Sequence, residues 1–129
     1  MRTLVIVDGA NVVGSRPDGW WRDRHGAAVR LRDQLVAVAL RGLPDVPPPV
    51  EVVLVVEGAA RGVPSVPEVR VAAAPASGDD LIVRLVTEQQ TADPETFDAV
   101  VVVTADRQLR ERVRRWGAQV RGPRWLTQP

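Results

Sequence analysis

Thr3–Asp8 (TLVIVD) is a short, continuous apolar run that ends on a carboxylate, and Gly9-Ala10-Asn11 follows at once. A run of this length without alternation fits a strand covered on both faces, as in parallel sheets. The pattern recurs in Val50–Glu57 (VEVVLVVE) and Asp98–Thr104 (DAVVVVT). Helical patterns lie between the runs. His25–Arg41 spaces Ala27, Ala28, Leu31, Leu35, Val36 and Ala39 along one face and stops at Gly42 and Pro44. Ser77–Gln90 turns Leu81, Ile82, Leu85 and Val86 inward, and Asp106–Gly117 is an Arg-rich helix ended by its glycine. Glu68–Ala72 alternates as a strand with a wetter face, and Ala118–Arg121 is a last short strand. Residues 9–22, punctuated by Gly, Pro and Asp, read as a long loop. Residues 44–49 (PDVPPP) read as a stiff connector and 123–129 as a tail.

Strands alternating with helices predict an α/β fold with a mostly parallel five-stranded sheet. Numbered along the chain, strands one, two and four are apolar throughout and belong in the centre; three and five belong at the edges. Right-handed crossovers then give the order 3-2-1-4-5. The order reverses between strands one and four, and open α/β sheets bind ligands in such a crevice, beyond the carboxyl ends of the strands. The 129 residues suit one domain.

Composition narrows the chemistry. There is no Cys, Lys or Tyr, and His25 is the only histidine. Thiol nucleophiles, Schiff bases, a P-loop lysine and a Ser-His-Asp triad are thereby set aside. No apolar stretch is long enough to span a membrane, and the N-terminus lacks the look of a signal peptide, so a cytoplasmic protein is expected. Net charge is only +1, but residues 105–129 hold seven Arg against Asp106 and Glu111, a net +5. Such a run is either a solvated helix face or a surface for a polyanion.

At the predicted crevice, Asp8 ends strand one and Asp106 lies just beyond strand four. Adjacent strands lie roughly 4.8 Å apart, so these carboxylates should approach each other. Asp79 and Asp80 open the helix that feeds strand four, and Glu57 ends strand two. Carboxylates gathered without lysine repel one another and raise one another's pKa. A divalent cation, Mg2+ or Mn2+, resolves that repulsion with an all-oxygen site. Each residue also has a plainer reading. Ser77-Gly-Asp-Asp80 can be a capping box, Asp106 a helix first-turn acid, and Glu57 a solvated strand end. Asp8 is the hardest to read so, because a charge directly after a buried strand needs a partner. Asn11 can orient a ligand or serve a turn, and Thr104 can hydrogen-bond a water or phosphate or cap a helix. Trp20 and Trp21, among Arg16, Arg22 and Arg24, suit stacking of single-stranded RNA bases, or else pack on the core. Trp116 is expected in the core or as a helix staple, and Trp125 in packing of the tail.

Three segments, LVIVDGANVVG (4–14), GDDLIVRLV (78–86) and VVVTADRQLRERV (101–113), together resemble the NYN domain, a branch of the PIN-like nucleases. The resemblance covers nearly the whole chain and the motifs come in the right order. It implies a three-layer α/β/α sandwich and a metal-dependent ribonuclease. It carries the first metal-site Asp onto Asp8 with Asn11 as its companion, the middle acidic pair onto Asp79 and Asp80 with Asp80 preferred as ligand, and the last Asp onto Asp106. Where some relatives have another acid after that Asp, this sequence has Arg110, with Glu111 next. The implied reaction is hydrolysis of RNA phosphodiesters by a metal-activated water. Asn11 and Thr104 would position water or phosphate, and Arg107, Arg110 and the Arg16–Arg24 loop would hold the RNA backbone. The alternative is a non-catalytic PIN-like RNA-binding or assembly module with a weak or silent metal site. Oligomeric state is open, a homodimer included.

Overall fold

The computed structural model describes residues 2–127. Its elements are β1 (Thr3–Asp8), α1 (Gly9–Gly14), α2 (Arg24–Arg41), β2 (Val50–Val56), β3 (Val69–Ala73), α3 (Gly78–Ala92), β4 (Ala99–Val103), α4 (Arg107–Arg114) and β5 (Gln119–Arg121). Short 3-10 turns occupy Trp20–Arg22, Gly58–Ala60 and Pro123–Thr127. The five strands form one sheet in the order β3-β2-β1-β4-β5, and every pairing is parallel. The α/β class and the strand order expected from the apolar runs are those observed.

Alternation along the central strands sends side chains into two separate cores. Val5, Val7, Val52, Leu54, Val101 and Val103 pack with Leu31 and Leu35 of α2 on one face. Leu4, Ile6, Val53, Val55, Val100 and Val102 pack with Ile82 and Val86 of α3 and Leu109 and Val113 of α4 on the other. Both faces are therefore dry, which is why these strands carry no polar alternation. The result is a three-layer α/β/α arrangement.

Three local expectations need correction. Residues 9–22 are not one long loop: 9–14 form a helix of six residues. The Asp8 carboxylate accepts from the Asn11 N–H as its N-cap, and Val12 and Val13 are buried. Burial of two valines and a capping acid outweigh the local glycines. Trp116 is neither core nor staple but 43% exposed. Helix α4 ends at Arg114, and Gly117, at φ +84, turns the chain back so that Ala118 enters the core instead. The segment 123–129 is more than a tail as far as it is described. Trp125 and Leu126 are buried in the α2-side core, and Trp125 Nε1 donates to Asp45 at 2.7 Å; Gln128 and Pro129 lie outside the described residues.

Register fixes what meets at the carboxyl edge of the sheet. Val7 pairs with Val103 and Asp8 with Val55, so Asp8, Thr104 and Glu57 are the first residues past the dry part of the three central strands. Among the described residues, no helix is long and apolar enough to cross a membrane.

Candidate active site

Asp8 is 3% exposed, and it shares that edge with Thr104, which is fully buried. Buried polar groups are normally satisfied by partners, and here they satisfy one another. Thr104 Oγ1 donates to Asp8 Oδ2 at 2.8 Å and accepts from the Asp106 N–H at 3.1 Å. Asn11 Oδ1 accepts from the Ala105 N–H at 2.9 Å, and Asp106 Oδ1 caps α4 through the Leu109 N–H at 2.9 Å. Arg110 Nε donates to the Thr104 carbonyl at 2.9 Å. Asp8, Asn11, Thr104, Asp106 and Arg110 thus form one hydrogen-bonded unit tying the end of β1 to the end of β4. Gly9 makes the turn above β2 feasible: a Cβ there would stand 2.5 Å from the Val55 carbonyl oxygen.

Among the described residues, no arginine or other cation is bonded to Asp8. Burial pushes its carboxyl up from 3.8 to about 6, against the hydrogen bonds from Thr104 and the Asn11 N–H, which pull it down. The charges of Asp79 and Glu57 push it further up. Asp79 is raised as well, first by burial, then by Asp106 and Glu57; Arg112 opposes this and Asp80 adds to it. Asp79 is therefore the acid that senses the others, because it starts α3 where that helix crosses the edge of the sheet. The Glu57 carboxylate lies against the same helix start: a Cβ on Gly78 would meet Glu57 Oε1 at 2.9 Å. Asp80 points elsewhere. Its side chain is 72% exposed and pairs with Arg112 at 3.0 Å. Ser77 caps α3 by accepting from the Asp80 N–H, the serine half of the expected capping box. Among the described residues, no three acidic or histidine side chains converge closely enough to hold an ion as they stand.

Two hollows flank this edge. On the β2 side, a cavity of about 250 Å3 is lined by Gly9, Ala10, Val13, Trp20, Arg24, Val56 and Glu57, among others. The Arg24 guanidinium lies 5.4 Å from the Trp20 ring centroid, so an aromatic face and a cation line it together. Trp20 also packs on the α2-side core, whereas Trp21 is 57% exposed beside Arg22, 5.9 Å from its ring. On the β5 side, a groove of about 490 Å3 runs past Arg16, Ala105 and Arg124. Arg107 is exposed at the start of α4, and His25 is an exposed residue in the first turn of α2.

The sequence did not single out Arg112, whose partner Asp80 is far from it in the chain, nor the glycines at 9 and 78 as points of close approach. The signal for Arg112 was present only as one of many arginines on α4.

These elements define a class: an all-parallel α/β sandwich with one buried carboxylate, Asp8, and further acids around it at its topological switch point. Among solved structures, the chain is similar to Rae1 (YacP) from Bacillus subtilis, with a TM-score of 0.73 at 18% identity over 96% of this chain and 71% of that one. It is similar also to a tryptophan-to-leucine variant of the same protein, with a TM-score of 0.71 at 19% identity over 97% and 72% of the two chains. At that identity the likeness establishes the fold. No protein-family model matches the sequence, and no curated protein matches it significantly.

Proposed function

We propose that this chain is a metal-dependent ribonuclease, with a PIN-like active site at the carboxyl edge of the sheet and single-stranded RNA as substrate. The observation that carries the reading is Asp8. A fold does not bury a carboxylate beside Asp79 and Glu57, without a cation, for stability's sake.

The donor set fits a hard divalent cation. It is all oxygen and rich in carboxylate, and the burial and the repulsion that raise Asp8 and Asp79 are what such a cation would offset. Asp8, Asp79 and Asp106 would hold Mg2+ or Mn2+, with Glu57 beside them. Asp79 is favoured over Asp80, whose carboxylate is taken by Arg112. When bound, such an ion lowers the pKa of a water and stabilises charge on a phosphoryl oxygen. The chain's own residues prepare the place. Thr104 holds Asp8 Oδ2 and leaves its other oxygen to a weak, 3.4 Å contact with the Asn11 N–H. Asn11 and Arg110 hold the segment 104–105, and with it the Asp106 carboxylate, in register with β1. The Trp20 cavity, with Arg24, suits an unpaired base, since stacking on an aromatic face is available only to unstacked bases. Arg22 and Arg107 add exposed positive charge for the backbone.

The test is incubation of the protein with labelled single-stranded RNA in Mn2+, in Mg2+ and in EDTA, beside Asp8→Asn and Asp106→Asn. Cleavage that requires metal and both carboxylates is expected. Intact RNA throughout, with no heat of Mn2+ binding, would overturn the reading. It would favour the second one, a non-catalytic RNA-binding or assembly module. That second reading draws on the capping roles that Asp8 and Asp106 already fill and on the absence of three converging acids among the described residues.

A further inference from the structure

The groove on the β5 side differs in kind from the acidic edge that adjoins it. Its walls are Ser15, Arg16 and Pro17, which follow α1, and Gly122 to Arg124 with Thr127 across from them; Ala105 forms its inner margin, one residue from Asp106. None of the residues lining it is acidic. Its hydroxyl protons are committed: Ser15 Oγ donates to the Val12 carbonyl at 2.7 Å and Thr127 Oγ1 to the Arg124 carbonyl at 3.0 Å. Pro17 and Pro123 have no N–H to offer. The side-chain donors left are the guanidinium groups. Among the described residues, Arg16 and Arg124 take part in no ion pair. Arg16 Nη2 is moreover shielded from solvent without any acceptor, so the guanidinium would turn outward to use it on a ligand in the groove. A shielded donor without an acceptor is costly, and natural proteins keep few of them.

We propose that this groove is a phosphate-binding subsite in which Arg16 and Arg124 grip one phosphate group of an RNA strand outside the bond being cleaved. The inference deepens the ribonuclease reading and rests on it for the identity of the ligand, although anion binding itself does not depend on cleavage. An acceptor-only ligand matches a groove whose free side-chain N–H groups belong to two guanidiniums. A planar guanidinium fork matches the paired oxygens of a phosphate. The volume of about 490 Å3 is many times the roughly 30 Å3 share of one water, so the groove has room for more than a single trapped ion. Its position beside Ala105 places the gripped phosphate next to the acidic edge, so that a strand would run from the groove across Asp106 and Asp8. Attraction in the groove then offsets the repulsion that the carboxylates exert on the same polyanion.

The test uses the full chain, a fluorescent single-stranded RNA in EDTA, and the variants Arg16→Gln, Arg124→Gln and the double substitution. Each single substitution is expected to weaken binding about five- to tenfold. The double substitution should also reduce the slope of log K against log salt by about 0.7, the value for one phosphate contact on a single strand, and each single substitution by less. Arg16→Gln should leave the Tm unchanged or raise it, because it removes an unsatisfied donor; a fall in Tm with unchanged RNA affinity would mean that Arg16 only packs the loop, and would overturn the proposal. Inorganic phosphate added to the free protein should shift the Nε–H signals of Arg16 and Arg124 in nitrogen–proton spectra. Oligonucleotides with and without a 5′-phosphate separate the sources. Equal affinity assigns the subsite to a backbone phosphodiester, and loss without the 5′-phosphate assigns it to the chain end. Normal cleavage with KM and salt slope unmoved in the double variant would refute the subsite and leave the nuclease standing. Absent cleavage with weakened binding in the variants would do the reverse.

Discussion

The two ends of the parallel sheet treat charge in opposite ways. At the amino end, Arg2 meets Glu51 at 2.6 Å with both side chains about half exposed, and its backbone N–H donates to Asp98. At the carboxyl end, Asp8 is buried without a cation, and Asp79 and Glu57 act on it by repulsion. The first arrangement is ordinary surface chemistry that water would tolerate if it were rearranged. The second costs stability and persists within the same sheet, under the same two cores. The difference separates what the fold needs from what it carries, and it is the ground on which function is proposed for the carboxyl end.

The largest effect should come from Asp8→Asn, which attacks the contrast at its centre. Asn keeps an oxygen for the Asn11 N–H and a polar partner for Thr104, so the fold should survive. RNA cleavage in Mn2+ should fall more than about a hundredfold, as removal of a metal-holding carboxylate demands. Stability should move the other way. A carboxyl raised from 3.8 to about 6 by folding binds its proton more tightly in the folded state. Wild-type stability in EDTA therefore falls as pH rises from about 4 through 6, by an amount on the order of 3 kcal/mol. Asp8→Asn should abolish that fall and be the more stable protein at pH 7, as read by denaturant titration across pH. Added Mn2+ should raise the Tm of the wild type and not of the variant. A variant less stable than wild type at pH 7 in EDTA would mean that Asp8 is a structural cap and nothing else.

The next effect sharpens the contrast within one helix turn. Asp79→Asn should lose Mn2+ binding and most of the activity, because Asp79 is coupled to Asp8, Asp106 and Glu57. Asp80→Asn should lose little of either, since its carboxylate is exposed and paired with Arg112. Isothermal titration with Mn2+ beside RNA cleavage assays distinguishes the two. The reverse ranking would move the site by one residue, roughly 100° around the helix, and return Asp80 to the ligand set.

Those neighbouring aspartates also show how far the sequence could be read. The strand order followed from the three long apolar runs, because only a sheet dry on both faces uses strands without alternation. The same reasoning put Asp8 and Asp106 at one edge, but not the Thr104 hydroxyl that bonds Asp8 and accepts from the Asp106 N–H. Which of Asp79 and Asp80 faces the edge did not follow, because that depends on the rotation of α3 about its axis and on Arg112, a partner 32 residues from Asp80. Helix α1 escaped notice because Gly9 and Gly14 bracket it like a loop, and its support is tertiary: Val12 and Val13 buried, and Asp8 at its start. Trp116 misled in the other direction, since a tryptophan after an amphipathic helix invites burial and Gly117 removes it.

A smaller effect should follow from Thr104→Val, which keeps the shape and removes the hydroxyl between Asp8 and the Asp106 N–H. The Thr104 hydrogen bond lowers the Asp8 pKa, so its loss should carry that pKa above about 6, seen by carboxyl-resolved NMR titration. The acid limb of the cleavage profile should shift to higher pH with it, while Thr104→Ser restores both. The variant should also lose roughly 1–3 kcal/mol of stability from the unmet partners. An unmoved Asp8 titration would mean that the hydroxyl does not tune the carboxylate.

The smallest effect belongs to the other end of the sheet and decides whether the contrast is sound. Glu51→Gln removes the charge from the Arg2 partner but keeps a carbonyl oxygen that can accept from the guanidinium. Both side chains are in solvent, so the Coulomb energy given up is weakened by water and by salt, and Arg2 retains its position 5.1 Å from the Phe97 ring centroid. The cost in stability should be under about 1 kcal/mol and should shrink as salt is raised. Mn2+ binding and RNA cleavage should be unchanged, since the whole length of the sheet separates Glu51 from Asp8. A cost well above that bound, insensitive to salt, would mean that the amino end also relies on a specific charge. Unpaired burial at the carboxyl end would then no longer stand out against a permissive background, and the assignment of function to that end would rest on the metal and RNA measurements alone.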